Sequence, residues 1–329
     1  ILKIQQPLKL EMNSITTFDK KIMQMVLERA EAQLGRTYPN PVTACAIVKD
    51  ETILGWGVHQ KAGESHAEAL AIEAVGKNCE GTTLYVNLEP CTHHGLTPPC
   101  ADKIIEAGIS RVVYAMSDPD PRVKSDPATP KLEAAGITVV SGVLAKEAEA
   151  QNSVFVINKT QNRPFIRIKT ATSLDGKIAL DIKESHYLSG PESREIVHQL
   201  RETCNGLLIG YKTVEIDNPK LNIRLKNKPE TSTNAIVIID PNGQISANLT
   251  VFDANPDATV YVVTRSDVSL SSDLEAKVVH WPVESDATGH IKWQVVLKNC
   301  LDVGITDMLI EGGCGVYSSL LDAGYCDEL

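Results

Sequence analysis

The chain is poor in aromatic residues, 5% of its length, and has no excess of positive charge: 32 Lys and Arg stand against 42 Asp and Glu, a formal net charge of -10. That balance works against a polyanionic partner, because nucleic-acid affinity comes from cations that neutralise phosphates and from aromatic faces that stack on bases. No nucleic acid is expected as a partner. No apolar run reaches the roughly eighteen residues of a membrane span, so no membrane role is expected either. The amino terminus lacks the basic, apolar, small-residue succession of a secretory signal, and the expected location is the cytoplasm. Met12 reads as the natural start, with residues 1–11 as leader sequence ahead of it. Short internal repeats and low-complexity segments are absent. So is the G-x-G-x-x-G fingerprint, which excludes a doubly wound dinucleotide fold of that kind. Eight cysteines without a secretory signal suggest buried thiols or metal ligands rather than a disulfide framework. Six of them, Cys45, Cys79, Cys204, Cys300, Cys314 and Cys326, lie in or beside apolar runs without ligand spacing and are expected to pack in the core.

What is present is a chain of 329 residues, long enough for two domains. From residue 19 the apolar pattern alternates between helical and strand periods. "DKKIMQMVLERAEAQL" reads as a helix capped by Asp19, "TACAIVK" and "TILGWGV" as a hairpin, and "HAEALAIEAV" as a helix. "TTLYVNL", "RVVYAM" and "ITVVSG" read as buried strands, separated by helices that end on glycine. Polar residues gather over 145–164, the expected domain boundary, and a second alternating series follows from "FIRIKTA" to "GVYSSLLDAG". Two α/β domains with covered sheets result.

Two constellations carry chemistry. His66 and Glu68 sit two apart at the start of a helix, and Cys91 and Cys100 flank "THHGLTPP". One histidine and two thiolates form a catalytic zinc set that leaves a fourth position for water. Glu68 is then a spare carboxylate, suited to take a proton from water and return it to a departing amine. Cys100 precedes a helix, whose amino terminus favours a thiolate. The histidine-x-glutamate followed by proline-cysteine is the zinc-deaminase signature, here with eight residues rather than two between the cysteines. A structural zinc needs a fourth protein ligand from His93, His94 or Cys79, and leaves Glu68 without a task. His93 and His94 are read as loop-shaping or substrate-lining residues.

In the second half, "IKTATSLDGKIA" (168–179) is a strand running into a turn, "LLIGYKTVEIDNPKLNIR" (207–224) a strand followed by a polar loop, and "LIEGGCGVYSSLL" (309–321) a strand, a glycine pair and a helix. The last arrangement lets backbone N–H groups approach a phosphate.

The ordered set "PNP" (39–41), "HAE" (66–68), "LEPC" (88–91), "HHG" (93–95), "TPPC" (97–100) and "DPDP" (118–121), followed by these three segments, resembles the bifunctional riboflavin-biosynthesis deaminase/reductase family. The resemblance runs from about residue 19 to the end of the chain, and the longer cysteine spacing is normal in that family. It implies a cytidine-deaminase-like α/β/α domain over 12–150 and a dihydrofolate-reductase-like α/β domain over 160–329. The implied reactions are zinc-dependent deamination of a diaminopyrimidinone phosphoribosylamine and NADPH-dependent reduction of its ribosyl to a ribityl chain. The implied roles are Zn2+ on His66, Cys91 and Cys100; catalysis by Glu68, Lys169 and Glu311; substrate contacts from Asn40, His59, Ser185, Arg201, Leu221 and Arg224; and cofactor contacts from Ala171, Tyr187, Thr213, Asp217, Gly313, Cys314 and Gly315. A phosphorylated small-molecule substrate and a homo-oligomer are implied as well.

Several positions depart from the family pattern. Ala44 replaces a glycine, Leu96 a basic residue and Asp120 an asparagine, while Ser125, Asp126 and Pro127 replace a glycine-rich turn. Losing a cation and gaining a carboxylate beside a phosphate costs about 1–3 kcal/mol for each charge-assisted bond lost. An alternative expectation follows: a reductase whose zinc domain is catalytically altered or serves as a binding or structural module. Asn222 replaces a threonine, and Pro241 stands where a cofactor-contacting serine is common. The family continues with further strands beyond "CDEL", so the second domain is expected to end early.

Overall fold

A computed structural model describes residues 14–94, 98–179, 187–233, 235–286 and 289–329. The chain divides into two compact units, Ile1–Thr160 and Gln161–Leu329. The first is built on a five-stranded sheet of β1 (Ala44–Lys49), β2 (Thr52–Val58), β3 (Thr83–Leu88), β4 (Arg111–Met116) and β5 (Thr138–Ser141) in the order β2-β1-β3-β4-β5. β1 runs antiparallel to β2 and β3, and β3, β4 and β5 run parallel. The turn between β1 and β2 is two residues long, with Asp50 and Glu51 both at positive φ, the backbone twist a tight hairpin requires.

Strand alternation sorts β1 between two cores. Ala44, Ala46 and Val48 pack with Ile22, Met23 and Val26 of the Thr17–Glu31 helix; Cys45 and Ile47 pack with Ala67, Ala71, Ile104 and Leu132 on the other face. Helices cover both sides, which is why the strands read as nearly continuous apolar runs. The first helix is capped by Thr16, not by Asp19. Asp19 is the third residue of a capping box: its carboxylate accepts from the Thr16 N–H at 2.9 Å, while its own N–H donates to Thr16 Oγ1 at 3.0 Å. The same carboxylate is buried and accepts from both arms of Arg111, at 2.8 and 2.9 Å, and from Tyr85 Oη at 2.8 Å.

The second unit carries a six-stranded sheet in which all pairs are parallel: β6 (Phe165–Ile168), β7 (Gly206–Gly210), β8 (Ala235–Ile239), β9 (Thr259–Arg265), β10 (Val279–Val283) and β11 (Asp307–Gly312), ordered β10-β9-β8-β7-β11-β6. The Tyr211–Asp217 helix that leaves β7 buries Val214 with Leu207 and Ile209 on one face. The Cys314–Asp322 helix that leaves β11 buries Val316 and Leu320 with Leu208 and Ile310 on the other. Adjacent strands whose exits turn to opposite faces open a crevice at their carboxyl ends, where ligands of parallel α/β sheets bind.

The two units meet at Thr160 and Gln161, inside the stretch 145–164 expected to hold the boundary. Most of that stretch is helical, Ala145–Gln151 and Ser153–Gln161, with Ala148 and Phe155 packed in the first unit's core. Two expectations change. The polar loop expected after β7 begins as the Tyr211–Asp217 helix, too short for its period to stand out. Of the six cysteines expected in the core, Cys45, Cys79, Cys204 and Cys300 are buried, but Cys314 is exposed and Cys326 half-buried, because one opens the Cys314–Asp322 helix and the other lies beyond its end. Among the described residues no helix is long and apolar enough to cross a membrane.

Candidate active sites

In the first unit, the Ala67–Val75 helix lies directly on the backbone of β2: a Cβ built on Gly57 would stand 1.9 Å from the carbonyl oxygen of Ala67 and 2.5 Å from the nitrogen of Ala71. This contact fixes His66, the residue before the helix, and Glu68 in its first turn. Cys91 follows the end of β3, and Cys100 opens the Cys100–Glu106 helix. The three come together. Sγ of Cys91 and Sγ of Cys100 lie 3.5 and 3.3 Å from Nδ1 of His66, and all three donor atoms fall within 4.8 Å of one another. Zn–S bonds of about 2.3 Å and a Zn–N bond of about 2.0 Å at tetrahedral angles set the S···N edge at about 3.5 Å, so the donor set fits zinc in both element type and spacing. The Cys100 N–H donates to Sγ of Cys91 at 3.3 Å. The Cys100 thiol, His66 and that N–H together favour the Cys91 thiolate, holding it well below the usual thiol range.

Glu68 is buried beside these ligands and is not one of them. Burial, followed by the neighbouring Cys91 charge, raises its carboxyl to about 7. Such a group exchanges protons near neutrality. Asn40 and His59 join the site: Asn40 Nδ2 lies 3.0 Å from His59 Nε2, His59 Nδ1 lies 3.1 Å from the carbonyl of Ser65, and the rings of His59 and His66 meet edge to face at 5.7 Å. Burial lowers the pKa of His59, which suits a neutral ring that donates from Nδ1 to Ser65 and accepts at Nε2 from Asn40. Nδ1 of His93 is buried without a hydrogen-bond partner among the described residues, consistent with a lining role. His94 is exposed.

The expected electrostatic cost of Asp120 is corrected by its neighbours. Its buried carboxylate is paired with Arg122 at 2.8 Å and Lys159 at 2.9 Å, and the Arg122 fork leads the effects that hold its pKa below the usual range. Asp120 therefore brings no unmatched negative charge, and the charge argument for an altered zinc domain falls away for that residue. Leu96 lies outside the described residues. Ala44 is buried at the start of β1, its N–H donating to Oδ1 of Asn87 at 3.0 Å.

In the second unit, Arg201 on the Pro191–Thr203 helix and Glu311 on β11 form a buried two-armed pair at 2.5 and 2.8 Å. Burial pushes Glu311 up, but Arg201 outweighs it, with Lys169 and His198 adding, and the carboxyl stays below its ordinary pKa. Lys169 follows β6, half-buried, with its N–H on the carbonyl of Ile310 at 3.1 Å and its carbonyl accepting from Tyr317 Oη at 2.8 Å. Arg201 also donates to the carbonyl of Asn222 at 2.8 Å, which fastens the segment carrying buried Leu221, at φ 55, and half-buried Arg224. Leucine rarely adopts that backbone, so the segment is held rather than relaxed.

His198 was not anticipated from sequence. Nδ1 of His198 accepts from the Arg224 N–H at 3.3 Å, and burial, then Arg201 and Arg224, lower its pKa to about 4, so it is a neutral spacer between two arginines. The only sequence signal was its position three residues before Arg201, one helical turn away.

Two of the cofactor candidates, Thr213 and Gly313, meet where β7 and β11 end. Gly313 has φ 88, and a Cβ there would stand 3.1 Å from Oγ1 of Thr213; Gly315 faces open space, and Cys314 and Gly315 are exposed at the start of a helix. Thr213, Gly313, Cys314 and Gly315 thus form one bare cradle, of a kind that suits a phosphate. Ala171 is half-buried beyond β6, and Asp217 is exposed at the last turn of its helix. Tyr187 is exposed and packs under Arg194 at 4.6 Å. Ser185 lies outside the described residues.

Comparison with known proteins gives both halves counterparts. Residues 16–116 match the cytidine and deoxycytidylate deaminase zinc-binding region, and residues 164–329 match the RibD C-terminal domain. The riboflavin biosynthesis protein RibD of Aquifex aeolicus is 36% identical over 315 residues, covering 96% of this chain and 86% of the relative; that of Escherichia coli is 34% identical over 322 residues, covering 94% and 86%. Among solved structures, a Thermotoga maritima diaminohydroxyphosphoribosylaminopyrimidine deaminase/5-amino-6-(5-phosphoribosylamino)uracil reductase superposes with a TM-score of 0.81 at 36% identity, covering 93% of this chain and 84% of that one.

Proposed function

The chain belongs to the RibD family of riboflavin-biosynthesis proteins, and from that premise we propose that it is a bifunctional enzyme: a zinc-dependent deaminase of a diaminopyrimidinone phosphoribosylamine, joined to an NADPH-dependent reductase of the deaminated product. The observation that carries the reading is the His66–Cys91–Cys100 triangle at zinc spacing with a buried, non-ligating Glu68 beside it. His66, Cys91 and Cys100 would hold zinc, which would supply Lewis acidity toward a water in its remaining position. Glu68 takes a proton from the attacking water and delivers it to the leaving amine, so that water is consumed and ammonia released. Asn40, His59 and His93 line the pyrimidine pocket, with neutral His59 orienting Asn40 through Nε2 and fixing the backbone ahead of His66 through Nδ1.

In the reductase half, Lys169 would give a proton to the sugar oxygen, with the carboxylate of Glu311, itself held by Arg201, near enough to act on the Lys169 charge; the nicotinamide cofactor, when bound, would supply the hydride. Arg224 clamps the substrate phosphate; Ser185 and Leu221 complete its contacts. Gly313, Cys314 and Gly315, with Thr213 and Asp217 of the Tyr211–Asp217 helix and with Ala171 and Tyr187, would hold the cofactor, the bare glycine turn suiting its phosphates. The enzyme acts in the cytoplasm as a homo-oligomer. Metal analysis combined with a paired assay of ammonia release and NADPH oxidation tests the reading. One equivalent of zinc and both activities are expected, and a metal-free protein with neither activity refutes it.

A further inference from the structure

Between Lys228 and Lys277 the chain has a single cationic side chain, Arg265. It stands at the carboxyl end of β9, on the same edge of the parallel sheet as the Gly313–Gly315 cradle. Gly210 at the end of β7 is in register with Ile239 on β8, and Ile239 with Val263 on β9, so Arg265 lies two strands away from the crevice. At the spacing of paired strands that is about 10 Å, a span that the adenosine half of a dinucleotide and an arginine side chain cover together.

Its placement is built rather than incidental. The Arg265 N–H donates to the carbonyl of Pro241 at 3.2 Å, tying its backbone to the exit of β8. One terminal nitrogen donates to Oδ1 of Asn242 at 2.5 Å, and Nε faces Oδ1 of Asp267 at 3.3 Å. Asn242 is itself in the turn gathered by the buried Asp240 carboxylate, which accepts from the Ile245 N–H at 2.8 Å. The guanidinium is one-third exposed, and its partner Asp267 is 73% exposed, a surface pair that an incoming phosphate displaces easily. Of the five N–H donors of an arginine, these two contacts use two and leave a fork for a second ligand.

We infer that Arg265, oriented by Asn242, reads the 2′-phosphate on the adenosine ribose of the reductase's cofactor and is the residue that makes this chain prefer NADPH over NADH. The inference rests on the proposed reductase function and deepens it. A guanidinium fork matches a phosphate bidentately, as the arginine near the ribose does in doubly wound dinucleotide folds, and here the alternative contact is blunted: Pro241, just past β8, offers no side-chain hydroxyl and no N–H.

The test uses the full-length zinc-loaded protein. Calorimetric titration with 2′,5′-ADP and with AMP compares the phosphorylated and unphosphorylated ribose directly, and NADPH- and NADH-dependent kcat/KM values give a second reading. Wild-type protein is expected to favour 2′,5′-ADP; Arg265→Gln is expected to lower the preference by roughly ten- to hundredfold, as for loss of a charge-assisted pair, with Arg265→Lys retaining part of it. Equal 2′,5′-ADP affinity in wild type and Arg265→Gln overturns the inference, as does a wild-type protein that prefers AMP and NADH. A wild-type protein that binds neither nucleotide and oxidises neither cofactor overturns the reductase function itself, which distinguishes the two failures. Unchanged thermal unfolding of the Arg265→Gln protein excludes a folding defect as the cause.

Discussion

Replacing Glu311 by glutamine removes one charge from a pair that water does not reach. Arg201 and Glu311 side chains are 9% and 6% exposed, and both arms of the guanidinium are engaged by the carboxylate. At an effective dielectric constant of about 20, unit charges about 4 Å apart attract by about 4 kcal/mol, and taking one partner out of a buried pair costs about 3–5 kcal/mol because the other stays buried and uncompensated. The glutamine side chain keeps the shape and one acceptor, but turns its amide N–H groups toward the guanidinium. For a unit of this size each kcal/mol is worth about 2–4 °C, so a loss of about 4 kcal/mol lowers the melting transition by about 8–16 °C. Scanning calorimetry should follow the transition that added NADPH raises, since two compact units need not melt together. The double replacement Arg201→Met, Glu311→Leu removes both charges and should recover part of the loss, the remainder reflecting the Asn222 carbonyl left without its Arg201 donor, yet lack reductase activity. A Glu311→Gln protein that melts within about 1 °C of wild type, well inside the shift set by the per-kcal scale, refutes the reasoning.

Other outcomes follow from the two sites. Glu68→Gln should retain its zinc by metal analysis and lose ammonia release by about 10²–10⁴-fold, the share of a general acid–base; loss of metal instead makes Glu68 part of the metal's support. Lys169→Met should abolish NADPH-dependent reduction while cofactor fluorescence still reports binding, and a turnover near wild type removes Lys169 from the chemistry. Asp19 is pushed up by burial and brought down further by Arg111 and the Thr16 and Tyr85 bonds, to about 2. Its folded pKa lies below the unfolded value of about 3.9, so it adds stability that is complete above about pH 4 and is lost as pH falls toward 2, about 2 kcal/mol in size. Asp19→Asn should remove that much at pH 7 and flatten the acid limb of a urea-midpoint profile; an unaltered limb assigns it elsewhere.

Much of this was legible in the residues themselves, for identifiable reasons. His66, Glu68, Cys91 and Cys100 announce themselves because metal chemistry restricts both residue type and spacing, and the fold then needs only a strand end and two helix starts to gather them. Strands such as β1, β3, β4, β7 and β8 were readable because buried strands leave continuous apolar runs. The Arg201–Glu311 pair was not readable as a pair: 110 residues separate its members, and only the sheet order places β11 where it faces that helix. Short polar helices such as Tyr211–Asp217 bury a single valine and carry too little period to register. Asp19 reads as a cap because helix starts favour aspartate, but a residue with three partners sits where all three are satisfied, one turn further in.

The Ala145–Gln151 and Ser153–Gln161 helices bear on how the two activities can be separated, in the laboratory or in evolution. Asn152, between them, accepts from the N–H of Val42 at 2.9 Å and donates to its carbonyl at 3.2 Å, while Gln151 donates to the carbonyl of Leu27 at 2.8 Å and accepts from Asn87 at 3.2 Å. Val42 follows the Pro39–Asn40–Pro41 segment and precedes β1, so a gene cut placed at residue 150 discards a clamp on the segment that carries Asn40. A free-standing deaminase gene carved from this one has its natural edge past Thr160, and the residues that look like spacer between two enzymes are the hem of the first.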